Sequence, residues 1–379
     1  MKKIIKLFIK QISYLLYILC KSFPCGKILT KAEAENVLQK NGFTFPKLSM
    51  GLKPLSPPTI DVSLIIPCYN AEKFIPTLMK SVLGQKTHYS YEVICVDDGS
   101  KDNTLNLLKE YEKTAQGRLV VFSQENKGIS IARNVGIELS HGSYIGFIDN
   151  DDIIDECFVE VAFTKAKTTH ADLLQCGYEM RSTHESSTST KCNYISENND
   201  YQRFSVMRGF IWGALYKREV FEMARFPEKF WYEDMLNKML LTNILKRVVI
   251  IEDVLYIKRI HSENASSILW KNANIKSVEQ YWLVQLFIEY TINDLHQDIS
   301  EAQYVQIIKE FATLLWSRTR NLPHEVRYAT FSLAADTVKS IDYKIKEMPN
   351  KLQEVESSLK AGNYHAWNFL CLSLLWEKE

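Results

Sequence analysis

Between residues 61 and 150 the chain alternates short apolar runs with segments whose apolar residues recur every third or fourth position. VSLIIP, YEVICV, RLVVF and SYIGFI read as strands, and FIPTLMKSVLGQ, DNTLNLLKEYEK and ISIARNVGIELS as the helices between them. That βαβα order predicts an α/β fold with a doubly wound, mostly parallel sheet covered on both faces, and functional residues at the carboxyl ends of its strands. Beyond DLLQCGYEM, the stretch RSTHESSTSTKCNYISENND is too rich in Ser, Thr and Asn to pack and reads as an exposed excursion. MRGFIWGALYKREVF, FWYEDMLNKMLLTNILK and VVIIEDVLYIKRIH then predict a strand or loop, a helix and a strand, closing a main domain over 61–262. From about residue 275 the three- and four-residue period returns, so 263–379 reads as a C-terminal helical lobe.

The first 25 residues carry a different pattern. Ile4, Ile5, Phe8, Ile9, Ile12, Leu15, Leu16 and Leu19 fall at helical spacing while Lys2, Lys3, Lys6, Lys10 and Ser13 fill the other positions, which makes a basic amphipathic helix. No small-residue cleavage site follows it and no uncharged apolar run reaches the ~18 residues of a spanning helix. The segment therefore reads either as an interfacial anchor at the inner face of the cell membrane or as a helix packed on the body of the protein or on a partner chain. Residues 26–60, with PKLSM and KPLSPP and no sustained period, read as a linker.

Composition narrows the partners. Lys and Arg number 46 against 45 Asp and Glu, a balance that excludes a protein held on nucleic acid by counterion release. The eight cysteines form no CxxC pair, so neither a structural zinc site nor a disulfide framework is signalled, and reduced thiols fit a cytoplasmic chain. No GxGxxG follows the first strand and no GxxxxGK[ST] occurs, which removes a dinucleotide fold and a P-loop.

The candidate chemistry lies at strand ends. VSLIIP leads into Cys68-Tyr69-Asn70, YEVICV into Asp97-Asp98-Gly99-Ser100, and SYIGFI into Asp149-Asn150-Asp151-Asp152. A parallel sheet brings the three clusters to one rim, where a nucleotide is expected. Acids after a buried strand are hard oxygen ligands suited to Mg2+ or Mn2+, although DNDD alone could equally cap the next helix.

Taken in order, PCYNAEKFIPTLMKSVLGQ, VDDGSKDNT, ENKGISIARNVGIELSHGSYIGFIDNDD and WYEDM resemble the successive motifs of family 2 glycosyltransferases over roughly residues 61–262. The resemblance implies a GT-A fold and an inverting transfer from a nucleotide-diphosphate sugar, with UDP favoured because Asp98 matches the family's base-binding aspartate. It places Pro67, Tyr69 and Asn70 beside the uridine, Asn126, Gly128 and Arg133 on a loop and helix facing the nucleotide, and Asp149 near the ribose and diphosphate. Asp151 is the implied metal ligand, aided by Asp149 and His261, and Asp152 a supporting group. Asp234 is the implied catalytic base and Glu233 the neighbour that orients it, although acids at a helix start also serve as caps. Arg259 and His261, in Lys258-Arg259-Ile260-His261, resemble a segment that folds back over the departing diphosphate.

Several readings stay open. Arg133 could contact phosphate or be tied to DNDD; His261 could meet metal or phosphate; Trp212 and Trp231 could stack on acceptor or anchor the core. QxxRW is absent, which points to single addition to a glycan or lipid-linked acceptor in surface polysaccharide synthesis. The rivals are a nucleotidyltransferase, disfavoured by the missing Gly-rich loop, and a catalytically silent scaffold, disfavoured by intact acids.

Overall fold

The structure is a computed structural model, and it describes residues 2–22, 26–46, 48, 52–182, 186–189, 193–196, 206–228, 230–232, 239–261, 274–341, 343, 345 and 348–375. Helices α1 (Lys2–Cys20) and α2 (Lys31–Lys40) precede the first strand. Strand β1 (Ile60–Cys68) is buried from Val62 to Cys68, which is why its sequence runs apolar without alternation. It pairs in parallel with β2 (Tyr91–Asp97) on one side and β4 (Gly142–Phe147) on the other, and β3 (Leu119–Ser123) extends the sheet beyond β2. Helices α3 (Ile75–Leu83), α4 (Thr104–Thr114) and α5 (Ile129–Leu139) make the crossovers, α3 with Pro76 in its first turn, where no backbone donor is needed.

The strand order β3-β2-β1-β4 reverses direction at β1. In an open α/β sheet this opens a crevice between the carboxyl ends of β1 and β4, and the segments Pro67–Asn70 and Asp149–Asp152 stand on its two sides. Past β4 come β5 (Ile153–Ile154), α6 (Phe158–Thr168), β6 (Leu173–Arg181), β9 (Ala214–Lys217) and β10 (Val248–Arg259). Here the sheet is mixed: β9 lies antiparallel between β4 and β6, while β10 runs parallel to β6. Two register shifts bend β10 between Ile250 and Tyr256, after which it pairs antiparallel with β5, Tyr256 opposite Ile154. Since β5 directly follows the acid run, that pairing delivers the end of β10 to Asp151 and Asp152.

The chain divides into two compact units, Lys47–Asn264, which holds the sheet, and Met1–Pro46 with Ala265–Glu379, which is helical. In the helical unit α1 packs on Tyr364–Leu375 and α2 on His324–Ile341.

Two sequence expectations change. The linker expected over 26–60 contains α2, whose start is a complete capping box: the Thr30 side chain accepts from the Glu33 amide while the Glu33 carboxylate accepts from the Thr30 amide. The Ser/Thr-rich excursion contains β7 (Ser186–Ser189), antiparallel to β6, and β8 (Tyr194–Ser196), antiparallel to β10. Backbone pairing at an open sheet edge stabilises strands there with few apolar side chains, which composition does not reveal.

Candidate functional site

On the β1–β2 side of the crevice Pro67 is buried within the strand, whereas Tyr69 is 42% exposed and so does not pack in the core. Asn70 has a φ of +48°, and it is pinned to the next loop: its amide donates to Ser100 Oγ at 3.0 Å and its Oδ1 accepts from the Lys101 amide at 2.8 Å. Gly99 cannot be replaced there, because its φ is +72° and a Cβ would lie 2.7 Å from the Asn126 amide nitrogen.

Asp98 is 4% exposed, and its carboxylate accepts from Gln124 Nε2 at 2.7 Å, the Lys127 amide at 2.8 Å and the Gly128 amide at 2.8 Å. Two of these fall on Oδ1 and one on Oδ2. A carboxylate has about four lone-pair positions, so Oδ2 keeps one for a further donor. The Gly128 amide can donate because that residue adopts a φ of +93° before α5, while Asn126 is exposed on the same loop. Asp97, 1% exposed, accepts from Ser123 Oγ at 3.1 Å through Oδ2.

On the β4 side Asp149, Asp151 and Asp152 place carboxylate oxygens within 4.8 Å of one another. Cations surround them. Arg133, buried on α5, donates from Nη2 to Asp149 Oδ1 at 2.9 Å, while the Lys258 ammonium lies 3.6 Å from Asp149 Oδ2 and 3.4 Å from Asp152 Oδ2. The Arg259 amide donates to Asp152 Oδ1 at 2.8 Å, its Nε donates to the Asp151 carbonyl, and His261 Nε2 sits 3.0 Å from Asp151 Oδ2. Arg133 is thus tied to the acid run.

Asp152 is wholly buried and spent on the protein: the Tyr256 hydroxyl also donates to its Oδ2 at 2.7 Å. Burial pushes its carboxyl up to about 7, with Lys258 opposing and Asp149 and Asp151 adding to the rise. Burial works against the Lys258 charge too, but Asp149, Asp152 and Asp151 outweigh it and raise its pKa. Asp149 and Asp151 remain half-buried at the crevice. An oxygen-rich pair with an imidazole alongside fits Mg2+ or Mn2+ better than a soft ion.

Trp212 is a core residue: it stacks on Phe210 at 3.6 Å and on Tyr256 at 4.7 Å between ring centroids, and Lys258 lies 4.9 Å from its ring. Trp231 is 40% exposed. Glu233 and Asp234, the expected base and its neighbour, lie outside the described residues.

Four contributors escaped the sequence reading: Gln124, Tyr256, Lys258 as an ion-pair partner, and Phe74. The Phe74 ring, just before α3, packs at a tilt against His261 with centroids 4.6 Å apart and lies 5.1 Å from the Arg259 guanidinium carbon. Only the aromatic type within YNAEKF could have signalled it.

Solved structures agree with this architecture. TarS residues 1–349 from S. aureus, in complex with UDP-GlcNAc, superposes with a TM-score of 0.64 at 20% identity, covering 82% of this chain and 90% of that one. The fold is therefore of the GT-A kind. Residues 63–223 match the model of glycosyl transferase family 2, so that stretch of the chain carries a domain of that kind. Among curated relatives, the uncharacterized glycosyltransferase EpsJ of Bacillus subtilis (strain 168) is 29% identical over 237 residues, 59% of this chain and 68% of its own length. The putative glycosyltransferase EpsH of the same strain is 32% identical over 212 residues, 53% of this chain and 61% of its own length. The chain spans only 34% of a third, glycosyltransferase GlyA of Streptococcus pneumoniae serotype 4 (strain ATCC BAA-334 / TIGR4), at 27% identity over 58% of this chain.

Proposed function

We propose that this chain is an inverting, metal-dependent glycosyltransferase that passes one sugar from a UDP-sugar to a hydroxyl of a glycan or lipid-linked acceptor in surface polysaccharide synthesis. The observation that carries the reading is the pairing, across one crevice, of a pre-formed acceptor at Asp98 with the acid cluster Asp149, Asp151 and Asp152. The open position on Asp98 Oδ2 suits the N3–H of uracil, and the exposed Tyr69 supplies a ring face beside it. Cytosine presents a lone pair at that ring nitrogen and would meet the carboxylate as acceptor against acceptor.

Asp151 and Asp149 would hold Mn2+ or Mg2+, with His261 beside Asp151. A divalent ion there supplies positive charge to a diphosphate. Lys258 and Arg259 add fixed cations at the same place, the first held by Asp152 and the second by the Asp151 carbonyl. Asp234 is the base that takes the acceptor proton and Glu233 orients it, as their motif implies. Among the described residues no helix is long and apolar enough to cross a membrane, and we assign the chain a peripheral place at the inner membrane face through residues 1–21.

The test is thermal stabilisation by UDP, GDP, CDP and dTDP with and without Mn2+, beside Asp151→Asn. Ligand at about 100 times its dissociation constant adds about 2.7 kcal/mol, a readable shift. Stabilisation by UDP and not CDP, strengthened by Mn2+ and losing that increment in the variant, is the expected result. No response to any nucleotide would overturn the reading in favour of a silent scaffold.

A further inference from the structure

A surface helix of a folded unit normally turns its apolar stripe to the core and its polar face to water. Helix α1 does the reverse. Its inward residues include Ser13 and Tyr17, 2% and 4% exposed, whereas Leu7, Phe8, Leu15 and Leu19 are 54–62% exposed and Ile12 and Ile18 are each 40% exposed. These six positions follow one another at helical spacing and make a continuous apolar ridge.

The inward face is fastened rather than incidental. The Ser13 hydroxyl is satisfied within the helix by the Ile9 carbonyl at 2.7 Å, the Tyr14 hydroxyl donates to Glu354 Oε1 at 3.3 Å, and Asn363 Nδ2 donates to the Cys20 carbonyl at 2.9 Å. Helix α1 is therefore a built part of the helical unit, and the ridge is its outward side.

Charge identifies what the ridge meets. Residues 1–32 contain seven lysines and no acid, and Glu33 is the first carboxylate. Lys351, on the helix Asn350–Lys360, has its pKa lowered by burial and then by Lys10, with only Glu354 opposing, so two cations are held within each other's field. Negative charge at that surface relieves both. A second copy of the chain would bring the same lysine-rich ridge against itself, since a two-fold contact joins like patches.

We infer that the ridge Leu7, Phe8, Ile12, Leu15, Ile18 and Leu19 lies in the interfacial layer of an anionic lipid bilayer while the opposite face of α1 stays packed on Tyr364–Leu375. The helix is too charged and too weakly apolar to span, and its apolar side chains with flanking lysines match the interfacial mode. The inference rests on the peripheral-membrane reading and is independent of the sugar chemistry.

The experiment is sedimentation of the full-length chain with vesicles of phosphatidylglycerol and phosphatidylcholine, against phosphatidylcholine alone, with light scattering of the free protein. Wild type should partition to the anionic vesicles and less so at high salt. Leu15→Gln/Leu19→Gln should partition at least tenfold more weakly with an unchanged melting temperature, because both side chains already face outward. If wild type binds and the double variant binds equally well, the ridge assignment is wrong and the membrane reading stands. If wild type ignores both vesicles, the membrane reading itself fails. A wild-type dimer that the variant converts to monomer, without vesicle binding, assigns the ridge to a second copy and overturns the inference.

Discussion

The two acidic regions facing each other across the crevice are held by opposite means. Asp98 is fixed by neutral donors, a side-chain amide and two backbone N–H groups. The Asp149–Asp152 run is fixed mainly by the side chains of Arg133, Lys258 and His261, groups that carry or can carry positive charge, with the Arg259 guanidinium on the Asp151 carbonyl and its backbone amide on Asp152. Neutral donors aim a carboxylate as a fixed template for one further hydrogen bond. Fixed cations make the other region a charge-balanced cluster, where an incoming diphosphate can use Lys258 and Arg259 in place of their present partners. The first arrangement suits recognition, the second charge that develops during reaction.

That contrast is most strongly tested by changes that separate turnover from binding. Asp151→Asn should cut kcat by about a hundred- to a thousandfold, the size of loss when a fixed electrostatic group is removed, while uridine still stabilises the fold. Chelating divalent ions with EDTA should likewise remove the extra stabilisation that UDP gives over uridine, leaving the uridine response in place. Asp98→Asn should do the opposite: its lost charge-assisted hydrogen bonds, about 1.5–3 kcal/mol, raise KM for the donor roughly ten- to a hundredfold with little change in kcat. Equal effects of both substitutions on uridine binding would collapse the distinction.

Much of this was legible from sequence, and the pattern of what was not is physical. The parallel half of the sheet announced itself because β1, β2 and β4 are buried on both faces and their apolar runs end in Asn70, Asp98 and Asp149. The antiparallel half did not, since β7 and β8 are short strands held largely by backbone pairing, and β9 joins residues far apart in the chain. The same holds for the site. Acids were found because their chemistry is written in residue type, whereas the reach of Lys258 to two of them depends on bends in β10 that no local pattern encodes. Tyr256 and Phe74 gave no signal of their own, because residue type alone does not separate an aromatic that packs in the core from one that supports a site. In α1 the period was correct, and the packing showed that its apolar side faces out.

Phe74 gives the smallest and sharpest test, because it belongs to the chain segment after β1 yet touches the cationic side. Its ring supports His261 from one direction and Arg259 from another, and neither contact involves a charge on Phe74 itself. Aromatic contact and cation–π attraction together amount to about 1–2 kcal/mol, so Phe74→Ala should lower kcat roughly five- to thirtyfold, Phe74→Leu should recover only the packing, and Phe74→Tyr should restore most activity. KM for the donor should move little in all three. A donor-binding defect without a kcat defect would mean that the ring serves the Asp98 side through the loop it sits on, and the division between a recognising and a reacting region would have to be redrawn with Phe74 as the joint between them.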